Sequence, residues 1–178
     1  KAFNYTPANV FRQIADRLTD VDPPSGEVVP WIATAWTVDD TATEVVFTLR
    51  SGVTFSDGTP LDAAAVKANL DQLGLGDQAR GIIKNRDFIG YASSEVVGED
   101  QVKVVLSEPN ALFVRATAAA TSSLLAPSTL ALDYEGQADI TNIVASGPFT
   151  VASVVPDQEL RLARRADYAW PSSLSTNP

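Results

Sequence analysis

Side chains that commonly carry out catalysis are scarce in this sequence. It contains no histidine and no cysteine, and its only lysines are Lys1, Lys67, Lys84 and Lys103. This composition removes imidazole acid–base chemistry, thiol nucleophiles and zinc sites built from cysteine and histidine. Neither a Gly-x-Ser-x-Gly elbow nor a Ser-x-x-Lys pair occurs, so a serine nucleophile lacks its usual partners. We therefore predict that the chain has no catalytic residues.

Carboxylates are numerous, but their placement favours solvated turns over a paired acid–base site. Aspartate and glutamate total 22 against 13 lysines and arginines, and the formal net charge is −9. The adjacent pairs Asp39-Asp40 and Glu99-Asp100 both fall in predicted turns. An acidic chain repels the phosphate backbone, so we predict no nucleic-acid partner. No calcium-binding loop of the EF-hand type occurs, and we predict neither a metal site nor an organic cofactor, with a calcium site built only from carboxylates as the one exception.

Length and composition indicate a soluble globular chain of one domain or slightly more. The sequence has 178 residues, of which 45% are hydrophobic and 20% charged. No stretch approaches the roughly 20 apolar residues that span a bilayer. The chain contains no methionine. We expect it to be a piece of a longer, secreted protein.

The first half of the chain alternates helix and strand patterns. Apolar residues recur every four positions across residues 7–18, which predicts an amphipathic helix: Val10, Ile14 and Leu18. Two strands are predicted over residues 35–38 and 44–50, with Trp36 and Phe47 as buried anchors. Asp62 is predicted to cap a helix from Ala63 to Leu73, which Gly74 and Gly76 would end.

The second half is predicted to contain two hairpins separated by helical and irregular segments. Residues 77–94 have no periodic pattern. The hairpins are expected over 95–106 and 149–163, and Asn110 is expected to cap a helix that includes Ala120 and is broken by Ala126-Pro127-Ser128. Hairpins interspersed with a few helices indicate an α+β fold with a mixed sheet, because a regular series of parallel βαβ units is missing.

One stretch is more specific than these patterns. Residues 29–38 read Val-Pro-Trp-Ile-Ala-Thr-Ala-Trp-Thr-Val, and residues 47–61 read Phe-Thr-Leu-Arg-Ser-Gly-Val-Thr-Phe-Ser-Asp-Gly-Thr-Pro-Leu. This resembles the signature of the family 5 extracellular solute-binding proteins, which include peptide, oligopeptide and nickel binders. Their pattern is Pro-x-Leu-Ala-x-Ser-Trp, followed by Phe-x-Leu-Arg-x-Gly-Val-x-Phe-x-Asp-Gly-x-Pro-Leu.

Two later stretches agree with the same family in order and spacing. Gly147-Pro148-Phe149 matches its Gly-Pro-Phe motif, and Asp167-Tyr168-x-Trp170 resembles its Asp-Tyr-Trp. The chain departs from the family pattern at five positions: Ile32, Ala35, Ala65, Ser146 and the inserted Ala169. The resemblance covers nearly the whole chain. Most of the signature residues form turns and apolar anchors, so the signature identifies the family without marking the ligand site.

The resemblance implies a portion of a two-lobed fold of the periplasmic-binding-protein type, class II or cluster C. In that family the solute binds between two lobes that close around it. This chain would supply part of the first lobe, and the second lobe would be absent. The implied divisions are residues 1–34 for the start of the main subdomain, 35–142 for a small helix–sheet subdomain, and 143–178 for the return into the main subdomain.

The resemblance also implies where solute would be held. The first lobe of this family contributes the loop between its N-terminal strand and helix, which suggests Phe3, Asn4 and Tyr5. An amide side chain suits a peptide backbone, and a tyrosine offers a flat face with a polar tip. The start of the return strand, Ser146 and Gly147, would lie near the cleft.

The function implied is the substrate-binding component of an ABC importer. It would capture extracellular peptides or similar solutes and dock on a membrane permease. Such proteins are monomers outside the cell or in the periplasm, and a lipid anchor on the full-length protein is expected. An alternative keeps the same fold for solute sensing or signalling without transport.

Overall fold

The computed structural model describes residues 5–156 and 158–175 of the chain. Its strands form three antiparallel sheets, ordered β1-β2, β3-β4-β6-β5 and β7-β8. The strands are β1 Thr19–Val21, β2 Val28–Pro30, β3 Ala33–Val38, β4 Glu44–Leu49, β5 Tyr91–Gly98, β6 Gln101–Leu106, β7 Phe149–Val155 and β8 Glu159–Arg164. The α-helices are α1 Tyr5–Ile14, α2 Ala63–Leu75, α3 Phe113–Ala116, α4 Pro127–Leu130 and α5 Tyr134–Ala138. The predicted α+β class is confirmed, although the described strands pair antiparallel and form no mixed sheet.

The four-stranded sheet contains the main hydrophobic core. Alternate residues of β4 are buried, so its apolar face is the one that the sequence predicted. The same alternation in β6 buries Val102, Val104 and Leu106. Phe47 is completely buried, and Trp36 is partly buried and packs against the same core, so the prediction holds fully for Phe47 and in part for Trp36. Trp36 lies opposite Phe47 on the outer strand β3, where only one neighbouring strand covers it.

Helix α2 packs across β5 and β6 and begins as the sequence predicted. The Asp62 carboxylate accepts a hydrogen bond of 2.8 Å from the Ala65 amide, which satisfies one of the free amides of the first turn. The predicted end at Gly74 was wrong, because Gly74 lies inside the helix. A Cβ there would come within 2.0 Å of the Tyr91 ring, so the glycine makes room for Tyr91. The helix ends at Gly76, which has a φ of 70°.

The predicted helix over residues 7–18 stops at Ile14. Residues 15–18 are buried and belong to neither a helix nor a strand, and we call Ile14 to Leu18 the crossing segment. Its carbonyls accept hydrogen bonds from amides of distant parts of the chain. The donors are the amides of Gly147, Leu124, Ile32 and Ala33, which bond to Ile14, Asp16, Arg17 and Leu18 respectively. These tertiary bonds replace the helical ones, and sequence periodicity does not reveal them.

The helix expected after Asn110 is also shorter than predicted. Asn110 accepts a bond from the Leu112 amide, but α3 ends at Ala116. The Thr117 hydroxyl bonds to the Val114 carbonyl at 2.8 Å and lies 2.8 Å from the Thr19 hydroxyl, so this turn is tied to β1. Ala126-Pro127-Ser128 starts α4, with Pro127 at its first position, a place where proline is well tolerated.

Both predicted hairpins are present, as β5–β6 and β7–β8. None of the helices within the described ranges has the length and apolar character that crossing a bilayer demands.

Candidate functional site

Two of the five predicted site residues, Phe3 and Asn4, lie outside the described residues, and Tyr5 opens α1. Ser146 and Gly147 are both buried. The Gly147 amide donates to the Ile14 carbonyl at 2.9 Å, and a Cβ on Gly147 would lie 2.4 Å from the Ile14 carbonyl carbon. The chain therefore packs its crossing segment directly on these two residues. Their contact with a solute stays a prediction.

Ser146 borders a buried polar cluster around Asp16. The Asp16 carboxylate is fully buried and accepts hydrogen bonds from the Trp170 indole at 2.8 Å and the Tyr168 hydroxyl at 3.1 Å. The same indole donates to the Ser146 carbonyl at 3.0 Å. Arg165 lies over the Trp170 ring, 5.4 Å from its centroid. The cluster joins the crossing segment to the C-terminal end of the described chain.

Burial raises the pKa of Asp16 to about 6, and the bonds from Trp170 and Tyr168 offset only part of that rise. The folded chain thus binds this proton more tightly than the unfolded chain, whose aspartate pKa is about 3.9. Stability contributed by protonated Asp16 is present below about pH 4 and is lost as the pH rises through about 6.

We expect wild type to gain about 1.4 kcal/mol of unfolding free energy relative to Asp16→Asn between pH 7.5 and pH 5. Urea denaturation of both proteins at each pH gives this difference, and subtraction cancels the other carboxylates. A difference that stays constant with pH would contradict the assignment.

A separate concave surface has the character of a ligand site. It is a cavity of about 450 Å³ between α1, α2 and residues 120–125, and we call it the α1–α2 cavity. Small-molecule sites usually have volumes of a few hundred Å³ and mostly apolar walls. Its apolar lining comprises Phe11, Leu73, Ile82, Ile83, Ala120, Leu125 and Leu130, and its polar lining comprises Asn69, Gln72, Thr121, Ser123 and Gln137.

The loop that follows α2 presents two of these apolar residues. Asp77 and Ile82 exchange backbone hydrogen bonds of 2.9 and 2.8 Å, and the Asn85 amide donates to the Leu73 carbonyl at 2.7 Å. Gly76 permits the loop to fold back so closely, because a Cβ there would lie 2.7 Å from the Ile82 carbonyl oxygen. Ile83 is consequently held on the cavity wall while remaining 83% exposed.

Asn69 fixes the opposite wall. Its side-chain amide donates to the Leu125 carbonyl at 2.8 Å, and its side-chain oxygen accepts from the Leu125 amide at 2.8 Å. A third bond of 2.9 Å ties it to the Ala65 carbonyl within α2. These bonds engage both polar atoms of the Asn69 side chain, so its role is to position Leu125 against α2.

A second concavity of about 700 Å³ lies beside Arg12, Trp31, Phe149 and Tyr168. Its lining is more polar than that of the α1–α2 cavity and includes the charged Arg12 and Arg164, while the buried Trp31 indole nitrogen has no hydrogen-bond partner among the described residues. Arg12 forms a two-bond ion pair with Asp20, at 2.8 and 3.2 Å, and Tyr168 bonds to Asp16. The α1–α2 cavity is therefore the stronger candidate. Within the described part of the chain, no cluster of three or more acidic side chains could hold a metal ion.

Sequence reasoning missed the residues of the α1–α2 cavity. Phe11 follows the predicted N-terminal loop by about two helical turns, and contact of that loop with a solute stays a prediction. The available signal was Ile82-Ile83, an apolar pair inside the otherwise polar stretch 77–94. Thr121 and Ser123 gave no signal, because isolated hydroxyl residues occur in many turns.

Comparison with known proteins gives consistent results. Residues 27–176 match the family model described as bacterial extracellular solute-binding proteins, family 5 Middle. The glutathione-binding protein GsiB of Escherichia coli strain K12 is 29% identical over 140 residues, covering 79% of this chain and 27% of that protein. GsiB of Salmonella paratyphi A is 35% identical over 118 residues, which cover 66% of this chain and 22% of that protein.

Solved structures share the fold. The binding protein AgaA of A. tumefaciens R10, in complex with agropinic acid, superposes with a TM-score of 0.77 and 26% identity over 93% of this chain and 32% of its own. NikA of Brucella suis, in complex with Fe(III)-EDTA, superposes with a TM-score of 0.74 and is 26% identical. The match covers 94% of this chain and 34% of NikA. The chain thus spans about a quarter of the curated relatives and about a third of these solved ones. It belongs to the bacterial extracellular solute-binding proteins of family 5.

Proposed function

We propose that this chain is part of the first lobe of a solute-binding protein that delivers peptides or similar solutes to an ABC importer. The observation that carries the proposal is the α1–α2 cavity, an apolar concavity whose lining residue Ile83 is 83% exposed in a family 5 chain. Concave, mostly apolar surfaces of a few hundred Å³ are the usual sites of small-molecule binding. A second lobe closing over it would bury both the cavity and the solute.

Closure of two bodies on a ligand requires that the ligand contact both of them, since only differential contacts shift the open–closed equilibrium. In this proposal α1, the loop after α2 and residues 120–125 form the wall of the first lobe. Phe3, Asn4 and Tyr5, just before or at the start of α1, would extend that wall. Ser146 and Gly147 would hold the return strand close to it.

The remaining features of the proposal follow from family membership. The divisions 1–34, 35–142 and 143–178 are retained as subdomains of the first lobe. The protein would be a monomer without enzymatic activity, metal or cofactor, located outside the cell or in the periplasm and attached by a lipid anchor. Its protein partner would be a membrane permease.

We expect the full-length protein containing this chain to bind small peptides at least 100-fold more tightly than the 178-residue chain alone. One wall buries much less of a ligand than two and leaves its hydrogen bonds open to water. Isothermal titration of both proteins with a pool of di- to pentapeptides measures the difference. Equal micromolar affinities would contradict the two-lobe proposal.

The sensing alternative is tested in cells. Deleting the full-length gene should reduce uptake of labelled peptides if the protein serves an importer. Unchanged uptake together with a lost transcriptional response to peptides would favour sensing without transport.

A further inference from the structure

Every lining residue of the α1–α2 cavity is uncharged. We propose that this wall selects a neutral, apolar group of the solute, such as an aliphatic or aromatic side chain. We further propose that the solute has an amide N–H next to that group. The inference deepens the proposed function and rests on it. It assigns charged groups of the solute to other parts of the binding site.

The charged residues near the cavity are already engaged. Arg80 bonds through its Nε to Asp77 at 2.7 Å and through another nitrogen to the carbonyl of the lining residue Leu130. The Asp87 carboxylate lies 3.5 Å from the Thr121 hydroxyl at one edge of the lining. Arg80 and Asp87 have opposite sign, and no charged side chain of the described residues lines the cavity, so the lining itself offers no charged partner to an ion.

Desolvation then decides which solutes fit. A carboxylate or ammonium group moved from water against Leu73, Ile82 and Leu125 would lose hydration without gaining a charged partner, which is strongly unfavourable. An apolar side chain gains free energy in proportion to the area that it buries. The volume of about 450 Å³ accommodates a leucine- or phenylalanine-sized group.

The polar atoms of the lining specify the accompanying group. Gln72 donates to the Gln137 side-chain oxygen at 2.9 Å, and Gln137 donates to the Leu132 carbonyl at 2.9 Å. Among the described residues, the Gln72 side-chain oxygen accepts no hydrogen bond. The Ser123 hydroxyl donates to the Ala120 carbonyl at 3.1 Å, so its lone pairs remain as acceptors. Two acceptors beside an apolar wall suit an amide N–H of the solute.

The test titrates the ¹⁵N-labelled 178-residue chain at pH 7 with three capped amino acids. The probes are N-acetyl-leucinamide, which is neutral, N-acetyl-aspartamide with a free side-chain carboxylate, and N-acetyl-lysinamide. We expect the leucine probe to give saturable shifts at the amides of Ile83, Thr121, Ser123 and Leu125, with a Kd on the order of millimolar for one wall. The charged probes should bind at least tenfold more weakly.

Two variants sharpen the result. Ser123→Arg places a cation in the wall and should improve binding of the aspartate probe at least tenfold, whereas Ser93→Arg, on an exposed strand position outside the cavity, should not. Ile83→Ala removes an exposed lining side chain with little effect on folding and should weaken the leucine probe several-fold.

Equal affinities for the three probes, no saturable shifts, or shifts centred on the second concavity would each overturn the inference. A failure of the proposed function appears separately, as loss of the affinity difference between the full-length protein and this chain. The two results can therefore be distinguished.

Discussion

Replacing Gly147 with alanine is expected to destabilise the chain by about 3 kcal/mol or more. The added Cβ would lie 2.4 Å from the Ile14 carbonyl carbon and 2.7 Å from the Ala15 nitrogen. Both atoms are backbone, so no side-chain rotation can relieve the overlap. The crossing segment would have to move, which would also break the bond from the Gly147 amide to Ile14. Urea denaturation followed by tryptophan fluorescence measures the loss.

Gly98→Ala is the matched control. At that position the new Cβ would meet only the Gln101 side chain, at an ordinary contact distance of 3.4 Å. We expect a change within about 0.5 kcal/mol, as at most sites without special constraints. If both alanine variants have the same stability as wild type, the close approach of Gly147 to the crossing segment is absent in solution.

Phe47→Ala is expected to cost roughly 3–5 kcal/mol, the range for a fully buried aromatic residue. Phe47 is 0% exposed and lies in the middle of β4, between β3 and β6. Removing its ring leaves a cavity in the centre of the main core, where the neighbouring strands are held by their ladders and cannot close it. The unfolding free energy from the same denaturation experiment provides the value.

Trp36→Ala provides the comparison for Phe47→Ala. The two residues are directly paired across β3 and β4, but Trp36 is half-buried on the outer strand. A partly exposed side chain loses less buried area, so we expect less than half of the loss seen for Phe47→Ala. A larger loss for Trp36→Ala than for Phe47→Ala would mean that the strand order places β3 wrongly.

The parts of the fold that sequence reasoning predicted well are those determined by local chemistry. The alternation in β4, the Asp62 cap of α2 and the two hairpins each depend on residues close together in the chain. The family motif around Asp57-Gly58 belongs to the same group, because it is a turn closed by the isolated bridge between Thr54 and Pro60 and by bonds from Thr59 to the Asp57 carboxylate. Local propensities and tertiary packing agree in these segments.

The parts predicted poorly depend on contacts between distant residues. The helical pattern of residues 7–18 is genuine, yet amides from Leu124 and Gly147 take the carbonyls that a longer helix would have used. The sequence predicts that Gly74 ends the helix. In the structure Gly74 lies inside the helix, because the Tyr91 ring beside it leaves no room for a Cβ. The α1–α2 cavity combines segments that are far apart in the sequence, and nothing local to Ser123 indicates that it lines the same cavity as Ile83.

The crossing segment also has a consequence for the order of events during synthesis. Three of its hydrogen-bond partners leave the ribosome long after it. The Leu124 amide bonds to the Asp16 carbonyl, the Gly147 amide to the Ile14 carbonyl, and the Trp170 indole to the Asp16 carboxylate. The Ile14 and Asp16 carbonyls and the Asp16 carboxylate therefore lack these partners until residues 124–170 have been synthesised, whereas Arg17 and Leu18 can meet Ile32 and Ala33 early. Such long-range closure slows folding and leaves apolar surface exposed meanwhile.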